Sequence, residues 1–193
     1  PDPWSESYRL EYIGKHTEAF ALIEPFANRQ PVNEFAIMRS AWLLHLQGKY
    51  AEAEKRYQRA AEVNPRSIEA RLGLMLPQMA LYRWNDAIQS GRKVLAESPW
   101  NYTAHVRIMV CEEALSRWED LSKHAAEVSV RYPADATLLG AAGEAGGGPD
   151  EGHLHSLAAV DHYQAAQRPR GLPLLRAVQP RLRRERELLL AQR

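Results

Sequence analysis

Apolar and small residues recur every three or four positions along residues 1–139, the spacing that places them on one face of a helix. Two such stretches flank the tripeptide Gln47-Gly48-Lys49, where a glycine in a left-handed backbone conformation can end a helix. The pattern therefore predicts an antiparallel helix pair. Its apolar positions are Phe35, Met38, Trp42 and Leu46 in the first helix and Tyr50, Ala53, Tyr57 and Ala60 in the second.

The pattern returns at a constant interval, and prolines mark this period at Pro31, Pro65, Pro99 and Pro133. Proline suits the corner between helix pairs because it lacks an N–H and pushes the preceding residue out of helical geometry. The period predicts four units, at about residues 1–33, 34–67, 68–101 and 102–135. At one fixed distance before the prolines stand Gly14, Gly48, Tyr82 and Ser116.

These features resemble the tetratricopeptide repeat, a 34-residue helix–turn–helix unit. The resemblance covers residues 1–139 and is carried best by the second unit. It implies an all-α fold, a right-handed α-solenoid of about four repeats, with the first helix of each unit on the concave side. The matching residues are Gly48, Tyr50, Ala53, Tyr57, Ala60 and Pro65.

Three features of the sequence depart from the family pattern. The family places a small residue where the first helix of a unit makes its closest contact, as Ser7 and Ala41 do, but Met75 and Met109 stand there in units three and four. We therefore expect these units to splay slightly or to interlock differently. Pro77 falls inside the first helix of unit three and is expected to kink or break it at a cost of about 3 kcal/mol. The first helix of unit one is shortened, with Asp2-Pro3 at its start.

The resemblance also implies which positions line the concave groove. The first helices of units two to four provide twelve inward positions. Eight of these positions are apolar, and the other four include Thr103 and Glu113. Two arginines stand nearby. The predicted partner-binding residues are Phe35, Met38, Arg39, Trp42, His45, Glu69, Leu72, Leu76, Met79, Val106, Arg107 and Val110.

Some members of the family hold the acidic C-terminus of heat-shock chaperones with a clamp of Lys, Asn and Arg. In this sequence the clamp positions carry Met38, Trp42, Leu72 and Leu76, so no such clamp is expected. We predict a protein-interaction module that binds an apolar peptide or helix, since methionine adapts its shape and tryptophan is a large anchor. The alternatives are that this stripe only packs as core, or that the protein is structural or oligomerising, its groove filled by its own tail or a second copy.

Composition narrows the function classes. The formal net charge of +1 does not favour nucleic acid as a partner. Cys111 is the only cysteine, which excludes an intramolecular disulfide or a thiolate metal site and favours the cytoplasm over the periplasm. No apolar run reaches the roughly 18 residues of a membrane span.

The composition changes at Gly140. Residues 140–152 contain six glycines and are predicted to be a linker, and residues 153–193 a basic, partly helical C-terminal segment or cap. Residues 168–193 hold eight arginines against two glutamates. Three interpretations stay open: a helix that caps the last repeat, a basic amphipathic segment that touches nucleic acid or anionic lipid, or sequence that is not native.

No combination of residues predicts catalysis, a metal site or a cofactor. His153, His155 and His162 lie near acidic residues, but without a second close ligand pair we interpret them as solvated. Cys111 stands beside Glu112 and Glu113, which oppose its ionisation. We interpret His16, His45, His105 and His124 as ordinary helix residues spread one per unit, with a pH-sensitive contact in the groove open for His45. The sequence therefore predicts that the protein is not an enzyme.

Overall fold

The computed structural model describes residues 2–135 and Leu138, and the predicted linker and C-terminal segment lie outside them. Within residues 2–135 the chain forms eight α-helices and no strand. None of these helices is long and apolar enough to span a membrane. The helices are α1 (Pro3–Tyr12), α2 (His16–Ala27), α3 (Glu34–Leu46), α4 (Tyr50–Val63), α5 (Ile68–Ala80), α6 (Trp84–Glu97), α7 (Tyr102–Ala114) and α8 (Trp118–Arg131).

The odd-numbered helices begin with a side-chain cap. The side chains of Asn33, Ser67 and Asn101, which follow one another at the repeat period, each accept a hydrogen bond from the backbone N–H three positions later. Asp2 caps the shorter α1 in the same way, accepting from the N–H of Ser5 at 3.0 Å. Asp135 continues the series, because its side chain accepts from the N–H of the buried Leu138 at 3.3 Å.

A residue with positive φ stands two positions after the last residue of each odd-numbered helix. The φ angles are +80° at Gly14, +75° at Gly48, +60° at Tyr82 and +55° at Ser116. In every case the next N–H bonds the carbonyl five positions earlier, as from Lys49 to Leu44 at 3.0 Å. This arrangement satisfies carbonyls that the end of a helix leaves open and turns the chain into the next helix.

The helices are arranged as a solenoid. Each packs on its sequence neighbours, and α5 also contacts both α3 and α7. Contacts between alternate helices occur on the shorter, inner side of a curved array. The odd-numbered helices therefore form the concave side, and we call their inward-facing side chains the inner wall.

Small residues on the even-numbered helices leave space for the two methionines that depart from the family pattern. Met75 is fully buried, and a Cβ on Gly91 of α6 would lie 2.9 Å from its terminal methyl group. Met109 is buried in one cluster with Ala125 of α8. The small partner has thus moved from the odd-numbered to the even-numbered helix, so these units interlock differently.

Pro77 does not break its helix. Helix α5 runs without interruption through Pro77 to Ala80, and the Pro77 carbonyl accepts a helical hydrogen bond from the N–H of Leu81 at 2.9 Å. The proline is fully buried between neighbouring helices, so packing offsets the hydrogen bond that its missing N–H cannot make.

Candidate binding groove

The structure places most of the predicted groove residues on a partly exposed inner wall. Phe35 is 52% exposed, and Glu69 is exposed as well. Several of the remaining side chains also pack against the core clusters, so the wall is continuous with the protein interior. The half-buried residues are Met38, Trp42, Leu72, Leu76, Met79, Thr103, Arg107 and Val110.

Three predicted groove residues are buried instead of exposed. Arg39 is 5%, His45 4% and Val106 8% exposed, and Glu113 is nearly as buried. The family resemblance placed them on the concave side. Neighbouring helices cover them, so they offer little surface to a ligand.

Arg39 contacts the chain itself. Its guanidinium forms an ion pair with Glu11 of α1, donates to the Ser7 hydroxyl at 3.0 Å and lies 3.9 Å from the centre of the Tyr8 ring. Glu11 uses its other carboxylate oxygen to accept from the Trp42 indole N–H at 2.9 Å. This network joins α1 to α3 and fixes the orientation of the Trp42 ring.

The second groove arginine also bonds to the chain. Arg107 of α7 donates to the backbone carbonyl of Leu72 in α5 at 2.6 Å. This contact ties together two successive inner helices.

His45 lies under the inner wall between two aromatic rings. Its ring stacks on Trp42 with centroids 5.8 Å apart and is tilted against Tyr50 at 5.1 Å. Its Nδ1 is buried and has no hydrogen-bond partner among the described residues. Burial, and after it the positive charge of Arg107, lowers the pKa of His45 to about 4. The histidine is therefore neutral near pH 7.

Helix α1 also contributes to the inner wall, through residues absent from the predicted groove set. Tyr8 is half-exposed and stands one repeat period before Trp42, while Trp4 stands one period before Met38. The Trp4 ring packs against Phe35, with ring centroids 5.2 Å apart. The repeat period contained this signal, because it assigns Trp4 and Tyr8 to inward positions.

The interpretation of the helix histidines as one per unit is wrong for His105 and His124. These residues lie on α7 and α8 of one helix pair, with His105 Nδ1 2.8 Å from His124 Nε2. His105 Nε2 is 2.8 Å from the Pro99 carbonyl, and His124 Nδ1 is 3.0 Å from a carboxylate oxygen of Glu112. Four groups thus form one hydrogen-bonded chain.

The described residues offer little for nucleophilic or metal chemistry. Cys111 is buried, and burial, followed by the nearby Glu112, raises its thiol pKa to about 12. No group of three or more His, Cys, Asp or Glu side chains in the described part of the chain is arranged to hold a metal ion. The histidines at 153, 155 and 162 lie outside it.

No known protein-family profile matches the chain. No curated protein matches its sequence either. Solved structures do match its fold. A tetratricopeptide-repeat protein of Thermus thermophilus, TTC0263, has a TM-score of 0.62 at 17% identity, covering 97% of this chain and 98% of its own.

Two further solved structures also have a similar fold. The second tetratricopeptide domain of human RPAP3, in complex with the HSP70 peptide SGPTIEEVD, has a TM-score of 0.53 at 20% identity, covering 57% of this chain and 92% of its own. A MamA double mutant (RS-1) has a TM-score of 0.65 at 14% identity, covering 86% of this chain and 99% of its own. The chain thus has the fold of a tetratricopeptide-repeat solenoid, the fold that its sequence predicted.

Proposed function

We propose that this tetratricopeptide-repeat chain is a protein-interaction module whose inner wall binds an apolar peptide or an amphipathic helix. The observation that supports the proposal is the row of partly exposed apolar side chains along α3, α5 and α7, from Phe35 to Val110. Large aromatic and flexible aliphatic side chains are the usual anchors of such grooves.

We propose further that acidic chaperone tails are not the ligand. RPAP3 domains of similar fold are solved with the peptides SRMEEVD and SGPTIEEVD, which end in acidic residues. In this chain the positions expected for a clamp are apolar, and Arg39 is already paired with Glu11. An acidic tail would lose water against these apolar side chains.

Peptide selection against the full chain tests the proposal. We expect a random peptide display library to yield sequences with apolar residues at helical or alternating spacing. Nuclear magnetic resonance shifts induced by a selected peptide should map to α3, α5 and α7. The RPAP3 ligand SGPTIEEVD serves as a second probe and should cause no shifts. Enrichment of acidic peptides, or shifts confined to the outer helices, would refute the proposal.

Two exposed apolar residues, one on the inner wall and one on an outer helix, provide a test variant and its matched control. Phe35→Ala should weaken binding of the selected peptide by about tenfold, the effect of losing roughly 1.4 kcal/mol at an anchor. Val130→Ala, on the outer helix α8 at 82% exposure, should leave binding unchanged. Trp42→Ala should also weaken binding, but it also removes the hydrogen bond to Glu11, so its stability must be measured in parallel.

Self-association is the second candidate function. It is favoured by the apolar side chains at the end of α1, where Tyr12 is 78% and Ile13 50% exposed. Light scattering across a concentration series separates the two candidates. A mass that rises with concentration, and that falls back in a Tyr12→Ser variant, would favour self-association over peptide binding.

A further inference from the structure

The hydrogen-bonded series Pro99–His105–His124–Glu112 requires more ring protons than two neutral histidines carry. The Pro99 carbonyl can only accept, so its contact with His105 Nε2 places a proton on that nitrogen. The contact between the two rings needs one proton, and the contact of His124 Nδ1 with the Glu112 carboxylate needs another. Two neutral imidazoles carry two protons, whereas these three contacts need three.

We propose that His105 and His124 share this third proton between Nδ1 and Nε2. The imidazole pair then carries one positive charge, which the Glu112 carboxylate balances, and the α7–α8 pair loosens when the proton is lost. With Glu112 ionised and this proton absent, two lone pairs would face each other across 2.8 Å, or a ring nitrogen lone pair would face the carboxylate across 3.0 Å. Either contact is repulsive in a site where all three side chains are largely buried.

The distance between the rings favours a proton over a metal ion. A zinc ion bonded to both nitrogens at about 2.0–2.1 Å in tetrahedral geometry would hold them more than about 3 Å apart. The observed separation is 2.8 Å, a hydrogen-bond distance.

Burial limits the imidazole pair to a single positive charge, although nearby carboxylates attract such charge. Besides Glu112, the carboxylate of Glu127 on α8 acts on His105 and favours positive charge there, and the Trp100 ring lies 6.2 Å from the His105 ring. Burial nevertheless lowers the pKa of His105, and the positive charge of His124 acts in the same direction. One more proton on the pair would also turn the contact between His105 Nδ1 and His124 Nε2 into two opposed N–H groups.

The stability of the α7–α8 pair should therefore pass through a maximum with pH. At the acid side, the lowered pKa of His105 means that stability is lost as pH falls below the ordinary histidine value. At the alkaline side, stability is lost as the shared proton leaves. Helix α7 carries Val106, Arg107 and Val110 of the inner wall, so pH would also alter the proposed groove. Only this last consequence rests on the proposed function.

Nitrogen-15 resonance of the histidine rings in the full chain, titrated with a chelator present, tests the proposal. We expect His105 to keep its Nε2 proton and the facing nitrogens to show one shared proton near neutral pH. On raising the pH, protection of α8 amides against hydrogen exchange should fall by about tenfold after correction for intrinsic rates, while α4 amides keep their protection. Two independently titrating rings, both neutral while α8 remains fully protected, would overturn the proposal.

Variants extend the test. His105→Gln and His124→Gln should each abolish the alkaline loss of α8 protection, and His16→Gln, on α2, should leave it intact. An alkaline loss that persists in both variants would contradict a shared proton. If a variant fails to fold, as circular dichroism would show, the ring titration of the natural chain decides alone. A metal ion retained with the chain in the chelator would also overturn the proposal.

Discussion

Four residues at the ends of the odd-numbered helices share one backbone geometry but not one side chain. Gly14 and Gly48 adopt positive φ without strain, whereas Tyr82 and Ser116 adopt it with a Cβ atom present. A left-handed conformation costs a non-glycine residue about 1–2 kcal/mol. The last two turns therefore hold strain that the first two lack.

Ser116→Gly should stabilise the protein. The substitution removes about 1–2 kcal/mol of backbone strain, whereas glycine costs roughly 0.5–1 kcal/mol in chain entropy on folding. The free energy of unfolding should therefore rise by about 0.5–1 kcal/mol. Urea denaturation monitored by circular dichroism measures the change. The reverse substitution, Gly48→Ala, should lower stability by about 1 kcal/mol through the backbone alone, because a Cβ there meets nothing within 4 Å. A destabilised Ser116→Gly variant would contradict this account.

His45 should make the protein sensitive to acid. Its pKa is about 4 when folded and near 6.5 when unfolded, so protons bind the unfolded chain more tightly. Stability from this residue is present above pH 6.5 and is lost as pH falls towards 4, by up to about 3 kcal/mol at 1.36 kcal/mol per unit. Unfolding of His45→Leu should depend less on pH over this interval, whereas His16→Leu should behave as the natural chain. Identical pH profiles for all three would show that His45 is not buried as described.

Some residue-scale features follow from the sequence and others do not. The repeat period predicted the turn at Tyr82 and Ser116, because position in the repeat outweighs side-chain preference there. The burial of Arg39 and His45 was not predicted, since helical periodicity gives a direction but not what covers it. Arg39 is buried because Glu11, Ser7 and the Tyr8 ring come from another helix.

At the scale of helices, large and small residues exchange places between equivalent positions of the paired helices. Moving along the repeats, the equivalent pairs are Ser7 with Ile23, Ala41 with Tyr57, Met75 with Gly91 and Met109 with Ala125. The first two pairs place the large side chain on the even-numbered helix, and the last two place it on the odd-numbered one. Met75 departs from the family pattern when one helix is considered at a time, but Gly91 on the paired helix compensates for it.

Two helical glycines should respond differently to alanine. A Cβ on Gly73 would lie 2.1 Å from the rigid Tyr57 ring, whereas a Cβ on Gly91 would meet the flexible ends of Ile108 and Met75 at 2.7–2.9 Å. Alanine gains about 1 kcal/mol in helix propensity at either site. Gly73→Ala should nevertheless destabilise by at least about 2 kcal/mol, and Gly91→Ala by less, as measured by thermal unfolding. Equal effects would contradict the packing described for Tyr57.

At the scale of the whole molecule, the contacts among the eight described helices join elements that are near one another in chain order. Core clusters lie between successive helices, from the one around Ile23 to the one around Val128. In such an array stability is a sum of unit and interface terms, so damage at one end should not spread evenly.

Cavities at the two ends provide a matched test of this arrangement. Ile23→Ala, at a fully buried site in α2, should cost about 2–5 kcal/mol and lower hydrogen-exchange protection most in α1 to α3. Val128→Ala in α8 should show the mirrored pattern, with the largest loss in α7 and α8. Uniform loss of protection along the chain in both variants would mean that the described helices unfold as a single cooperative unit.

The inner wall changes character along the solenoid, and this gradient gives the groove a direction. At one repeating position stand Tyr8, Trp42, Leu76 and Val110, so broad rings at α1 and α3 give way to narrower aliphatic side chains at α5 and α7. A segment lying along such a wall does not meet equivalent surroundings at its two ends. Reversing the segment would exchange ring contacts for aliphatic ones, so the proposed groove would distinguish a sequence from the same sequence read backwards.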